Sequence, residues 1–188
     1  MSSTENFRID PTQACLVVVD IQEKLAPTMP SDVLQKVLRN TGILISTAQE
    51  FQIPILLTEQ YTKGLGPTRS EVKSLLGDMM PMEKLAFSCC GLPEFSFKLK
   101  SLGKQYVILC GMETHVCVLQ TALDMLDGGY HVFLPADAVC SRKKLDWKVG
   151  LNVMGAAGVI VGSTELFFFQ MLKEAGTDRF KKLSKLVK

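Results

Sequence analysis

Three residues with complementary chemistry stand far apart in the chain: Asp20, Lys84 and Cys117. Cys117 follows Gly111-Met112-Glu113-Thr114, directly after the apolar run Tyr106–Cys110. With Thr114 as N-cap, the thiol falls in a first helical turn, where unpaired backbone N–H groups and the positive dipole end favour a thiolate and lower its pKa. The same place suits a buried structural cysteine, since Val116, Val118 and Leu119 are apolar too. Asp20 ends the run Leu16–Val19. A carboxylate there is costly to desolvate unless paired, and partial burial equips it to exchange a proton; capping nearby N–H groups is the structural alternative. Lys84, in Met82–Ser88 (MEKLAFS), would stabilise a thiolate and restrain the carboxylate's basicity if the fold brings it near. Otherwise it is a surface lysine with a packed stem.

The surrounding elements must supply that convergence. Short β-branched runs alternate with helical patterns, which predicts βαβ units and an α/β fold whose mostly parallel sheet is covered on both faces. Strands are expected at Cys15–Val19, Ile55–Thr58, Tyr106–Cys110, His131–Pro135 and Val159–Val161, and helices near Ser31–Phe51, Glu94–Leu102, Thr114–Leu126, Lys143–Gly155 and after Ser163. Ser31 or Asp32 is placed to cap the first helix, Pro54 to restart the chain into a strand, and Gly128-Gly129 to end a helix where positive φ is needed. Tyr61–Pro67 (YTKGLGP) carries too many breakers for regular structure and reads as a surface loop. Lys173–Lys188 reads as a lysine-rich amphipathic terminal helix. Ligands of such sheets bind beyond the carboxyl ends of the strands, which points to Asp20, Thr58-Glu59-Gln60 and Gly111–Cys117.

Composition narrows the function classes. With 188 residues, 47% hydrophobic residues and a net charge of +2, the chain suits one domain with a real core, and neither disorder nor general nucleic-acid binding is favoured. The N-terminal residues show no basic stretch followed by an apolar run, and no run is long enough to span a bilayer, so no membrane partner is expected. The six cysteines form no Cys-x-x-Cys pair and read as reduced thiols in a cytoplasmic setting. Asp20–Pro27 (DIQEKLAP) lacks the glycines that let a pyrophosphate approach, which argues against nucleotide binding. Leu166–Leu172 (LFFFQML) holds three consecutive phenylalanines, more apolar surface than one helix buries within a domain, and predicts a homo-oligomer.

Val17–Gln22 (VVVDIQ), Glu83–Ser88 (EKLAFS), Gly111–Val118 (GMETHVCV) and Pro135–Val139 (PADAV) together resemble the isochorismatase-like, or cysteine hydrolase, superfamily over about residues 15–172. The resemblance implies a three-layer α/β/α fold with a six-stranded, mostly parallel Rossmann-like sheet in a single domain. It implies a catalytic triad of Asp20, Lys84 and Cys117, a cis peptide at Met112–Glu113, and an oxyanion hole from the backbone N–H groups of Glu113 and Cys117. Gln22, Leu25, Gln60, Phe87, Thr114 and His115 are expected to face a small-molecule substrate. Metal-dependent nicotinamidases of the superfamily carry Asp-x-His after the second strand, where this chain has Thr58-Glu59-Gln60, so neither a metal nor another cofactor is expected. Members acting on isochorismate generally lack the cysteine, so Cys117 points to a small amide or related C–N bond. Thr58–Thr68 (TEQYTKGLGPT) is similar to the isochorismatase domain-containing and YcaC-related subgroup. A non-catalytic binding protein and a vinyl-ether hydrolase remain the alternatives.

Overall fold

The computed structural model describes residues 4–187. Strand β1 (Ala14–Val19) is wholly buried and is followed by helix α1 (Ser31–Glu50), β2 (Ile55–Gln60), the short helix α2 (Thr62–Leu65), α3 (Ser70–Leu76), β3 (Met82–Lys84) and α4 (Pro93–Ser101). Then come β4 (Tyr106–Met112), a π-helical turn at Thr114–Val118 continuing into α5 (Leu119–Asp127), β5 (His131–Pro135), β6 (Val139–Cys140), α6 (Lys144–Ala157), β7 (Ile160–Gly162), α7 (Thr164–Leu172) and α8 (Asp178–Leu183).

The sheet runs β3-β2-β1-β4-β5-β7, with every pairing parallel. Six strands follow this order as expected, and the seventh, two-residue β6 pairs with the end of β4 beyond the reach of β5. Alternation along β1 divides the core between two faces. Leu16 and Val18 pack with Val37, Leu44 and Ile45 of α1 and Phe167 and Met171 of α7. On the other face, Cys15, Val17 and Val19 meet Phe95 and Leu99 of α4, Ala122 and Met125 of α5 and Met154 of α6. Helices cover both faces, giving three layers.

Local departures have physical reasons. Pro30 precedes α1, and neither Ser31 nor Asp32 caps it; Asp32 instead sits in the first turn, where its charge suits the helix dipole. The region expected as irregular at Tyr61–Pro67 forms one helical turn, begun by Tyr61 at φ +39. The terminal segment is not one helix: Lys173 turns at φ +61 and Gly176 at φ +84, so regular structure resumes only at Asp178, and Lys188 lies outside the described residues. Of the three phenylalanines, Phe167 and Phe168 are buried within the chain and Phe169 is exposed. Gly111 is indispensable to the sheet: it sits at φ +122, and a Cβ there would stand 2.0 Å from the Val19 carbonyl oxygen.

Candidate active site

The carboxyl ends of β1, β3 and β4 converge. Asp20 follows β1 directly and adopts φ +51, a left-handed conformation that aspartate tolerates better than most residues. Its N–H donates to the Thr58 carbonyl at 3.2 Å, so the turn is stitched to the neighbouring β2. Lys84 ends β3, and its ammonium donates to Asp20 Oδ2 at 2.7 Å. With Gln60 Oε1 (2.8 Å), the Phe87 carbonyl (3.0 Å) and the Ala86 carbonyl (3.3 Å), the acceptors number four against the three protons of the ammonium. Lys84 is therefore saturated and acts on its surroundings as a fixed charge. Burial works against that charge, but Asp20 and the nearby thiols outweigh it, and the lysine pKa is raised.

The third residue enters from β4. The Met112–Glu113 peptide is cis, and the chain turns from it into the π-helical segment that carries Cys117. Burial, followed by the adjacent Asp20 charge, pushes the Cys117 thiol up to about 12 despite the counteracting Lys84. The expected lowering at a helix N-terminus is thus reversed: Glu113, not Thr114, is the N-cap residue, Cys117 lies one position deeper, and desolvation dominates. Asp20, Lys84 and Cys117 are 0%, 2% and 6% exposed, so all three interact away from bulk water.

A second thiol adjoins them. Cys89 Sγ lies 3.7 Å from Thr58 Oγ1, and the Cys89 N–H donates to Thr121 Oγ1 at 2.9 Å. Thr58 Oγ1 donates to Asp20 Oδ1 at 2.8 Å. The sequence marks Thr58 as part of a strand end near the ligand site and without metal ligands; its register opposite Val19, the residue before Asp20, is what ties it to the carboxylate.

The residues expected around the substrate differ in their contacts within the chain. Gln22 spends its amide on backbone, donating to the Gln60 and Gly66 carbonyls (3.0 and 2.6 Å) and accepting from the Gln60 N–H (2.8 Å). Gln60 holds Lys84 through Oε1 and the Leu85 carbonyl through Nε2 (2.8 Å). Leu25 packs against the core, while Phe87 has an exposed ring and a carbonyl turned to Lys84. Thr114 is buried, with no partner for its hydroxyl among the described residues. His115 Nδ1 meets Ser141 Oγ at 2.9 Å. Glu113 Oε2 accepts from the N–H and Nε of Arg142 at 3.0 and 3.1 Å, pinning the start of α6 to the turn. Among the described residues no group of three His, Cys, Asp or Glu could hold a metal ion.

A parallel sheet between helical layers, with a thiol, a carboxylate and an ammonium at its carboxyl edge, defines an α/β domain of the isochorismatase-like fold. The isochorismatase domain matches residues 14–165, and the chain belongs to that family of hydrolases. It is 37% identical over 186 residues to the secreted isochorismatase effector Isc1 of Phytophthora sojae, covering 96% of this chain and 87% of that one. Isochorismatase domain-containing protein 2B of Mus musculus is 35% identical over 182 residues, covering 96% and 84%. Among solved structures, the MAR1 ribonuclease of Caenorhabditis elegans superposes with a TM-score of 0.88 at 37% identity, covering 96% of this chain and 92% of that one. YcaC of Escherichia coli, described as an octameric hydrolase of unknown specificity, shares the fold with a TM-score of 0.87 at 24% identity, covering 95% and 88%.

Proposed function

We propose that the protein is a cysteine-dependent hydrolase of a small amide or related C–N bond. One observation carries this reading: an acid, a cation and a thiol from three separate strand ends interact while nearly fully buried, with Lys84 Nζ 2.7 Å from Asp20 Oδ2 and the Cys117 thiol under the influence of both. Cys117 rests as a thiol. As its sulfur attacks the substrate carbonyl, Asp20 takes the proton, so no free thiolate accumulates in the buried site. The backbone N–H groups of Glu113 and Cys117 receive the oxyanion. Collapse breaks the C–N bond, Asp20 returns its proton to the leaving amine, and a thioester remains. Asp20 then takes a proton from water as it attacks the thioester, and gives that proton to the departing sulfur, leaving a carboxylic acid and the resting thiol. Lys84 holds Asp20 in place throughout.

The low exposure of Cys117 favours a small substrate. The ribonuclease name of the C. elegans relative suggests RNA instead, but the Lys84 charge is already balanced by Asp20 and its donors are taken by protein oxygens, which leaves it poorly suited to bind a phosphodiester. The cysteines are free in the structure, which suits the cytoplasm, although the P. sojae relative is called secreted; no helix among the described residues is long and apolar enough to cross a membrane.

The test is amine release from a panel of small amides, with RNA in parallel. Cys117→Ser and Asp20→Asn are each expected to reduce turnover by about 10³-fold or more, and mass spectrometry of the quenched wild-type enzyme to show an acyl adduct on Cys117. Undiminished turnover in Cys117→Ser would refute the reading.

A further inference from the structure

We propose that Thr58 is a positioning residue for the base, holding Asp20 by main chain and side chain at once and setting how readily that carboxylate accepts the Cys117 proton. The proposal rests on the reading above, in which Asp20 is the base.

Thr58 stands opposite Val19 in the β1–β2 register, so the strand pairing itself brings it beside the Asp20 turn. Its carbonyl accepts the Asp20 N–H at 3.2 Å, and its hydroxyl donates to Asp20 Oδ1 at 2.8 Å. Lys84 donates to the other oxygen, Oδ2, at 2.7 Å. Each carboxylate oxygen thus has its own buried donor, and the side chain cannot rotate without breaking one of them. The main-chain bond also restrains a residue whose φ of +51 would otherwise relax.

The direction of the hydrogen bonds follows from valence. A carboxylate has no proton to give, so the single hydroxyl proton of Thr58 goes to Asp20, and the 3.7 Å contact with Cys89 Sγ is filled by the Cys89 thiol donating to Thr58 Oγ1. Cys89, buried against Thr121, therefore orients the hydroxyl that orients the base. A purely structural threonine would need only its main-chain bond and its methyl group. The hydroxyl adds an effect on chemistry, because it fixes the orientation of the carboxylate that takes the Cys117 proton.

The test needs no substrate. Alkylation of Cys117 by iodoacetamide at about pH 7, followed by peptide mass spectrometry, reads transfer of the thiol proton directly. The wild-type rate is expected to exceed that of Asp20→Asn by about 10²-fold or more. Thr58→Val keeps shape but loses the hydroxyl, and is expected to lower the wild-type rate by about tenfold. Thr58→Ser is expected to restore it, and Thr58→Ala serves as a second hydroxyl-free variant should valine fold poorly. Rates for both hydroxyl-free variants that equal wild type, while Asp20→Asn slows alkylation, overturn the role of Thr58 and leave the base intact. A wild-type rate that survives Asp20→Asn overturns the assignment of Asp20 itself.

Discussion

Lys84 shows how much of this site is held in place rather than left free to react. Its three protons face four oxygens, and the carboxylate it neutralises is completely buried. Removing the cation leaves Asp20 as an uncompensated buried charge, so Lys84→Met should cost about 3–5 kcal/mol of stability, measured by urea denaturation. The double variant Asp20→Asn/Lys84→Met should recover much of that loss, because neither charge then remains. Lys84→Arg should not substitute, since a planar fork cannot reproduce the arrangement of acceptors around one nitrogen. A double variant as unstable as the single one would mean that the lysine stem, not its charge, is what the fold requires.

Among the elements, the segment between β2 and α3 is heavily fastened. The N–H groups of Glu23 and Lys24 donate to the Pro67 and Leu65 carbonyls, Arg69 N–H donates to the Ile21 carbonyl, and Glu59 Oε1 accepts both the N–H and hydroxyl of Thr68 at 2.6 Å. Gln22 bridges the two ends of the segment. Gln22→Ala should therefore increase amide exchange across residues 61–67 by about tenfold, corresponding to the loss of roughly 1.4 kcal/mol of local hydrogen bonding, while the rate of Cys117 alkylation stays the same. A slowed alkylation would return Gln22 to the neighbourhood of the thiol. This is also where reading the chain alone fell short. Alternation and apolar runs suffice for β1 and β5, whereas the nearness of Lys84 to Asp20 is implied by the family resemblance and not by spacing. They cannot reveal β3, three residues whose pattern resembles a loop, or α3, whose Val72 and Leu76 make only one apolar contact row. Nor can they tell a glutamine aimed at a ligand from one consumed by its own backbone. The Cys117 pKa was misjudged because an N-terminal dipole is visible in sequence order, whereas the burial that outweighs it depends on packing.

At the scale of the whole molecule, five of the six thiols are buried. Burial raises Cys15, Cys110 and Cys140 to about 12 and Cys89 to about 11, against an ordinary value of 9.0. Between those values the unfolded chain has shed protons that the native one retains, so stability falls as pH rises above 9, by about 1.4 kcal/mol per pH unit for each buried thiol. The melting temperature should drop steeply from about pH 9 to pH 10, and Cys110→Ala should flatten that drop at some cost in stability near neutrality. On the surface, Leu145, Val149 and Val153 of α6 are 69%, 50% and 43% exposed at helical spacing, an apolar stripe suited to a second copy of the chain. Light scattering should show an assembly that Val149→Lys dissociates; a wild-type monomer would exclude it.

The three-residue β3 lies at the margin of the sheet, and its final residue is Lys84. The bond from that lysine to Asp20 consequently rivets a short border of the architecture to its centre. A molecule in which this border has not docked lacks its ion pair as well, so under the proposed mechanism incompletely finished copies would be inert, and turnover would certify completed assembly.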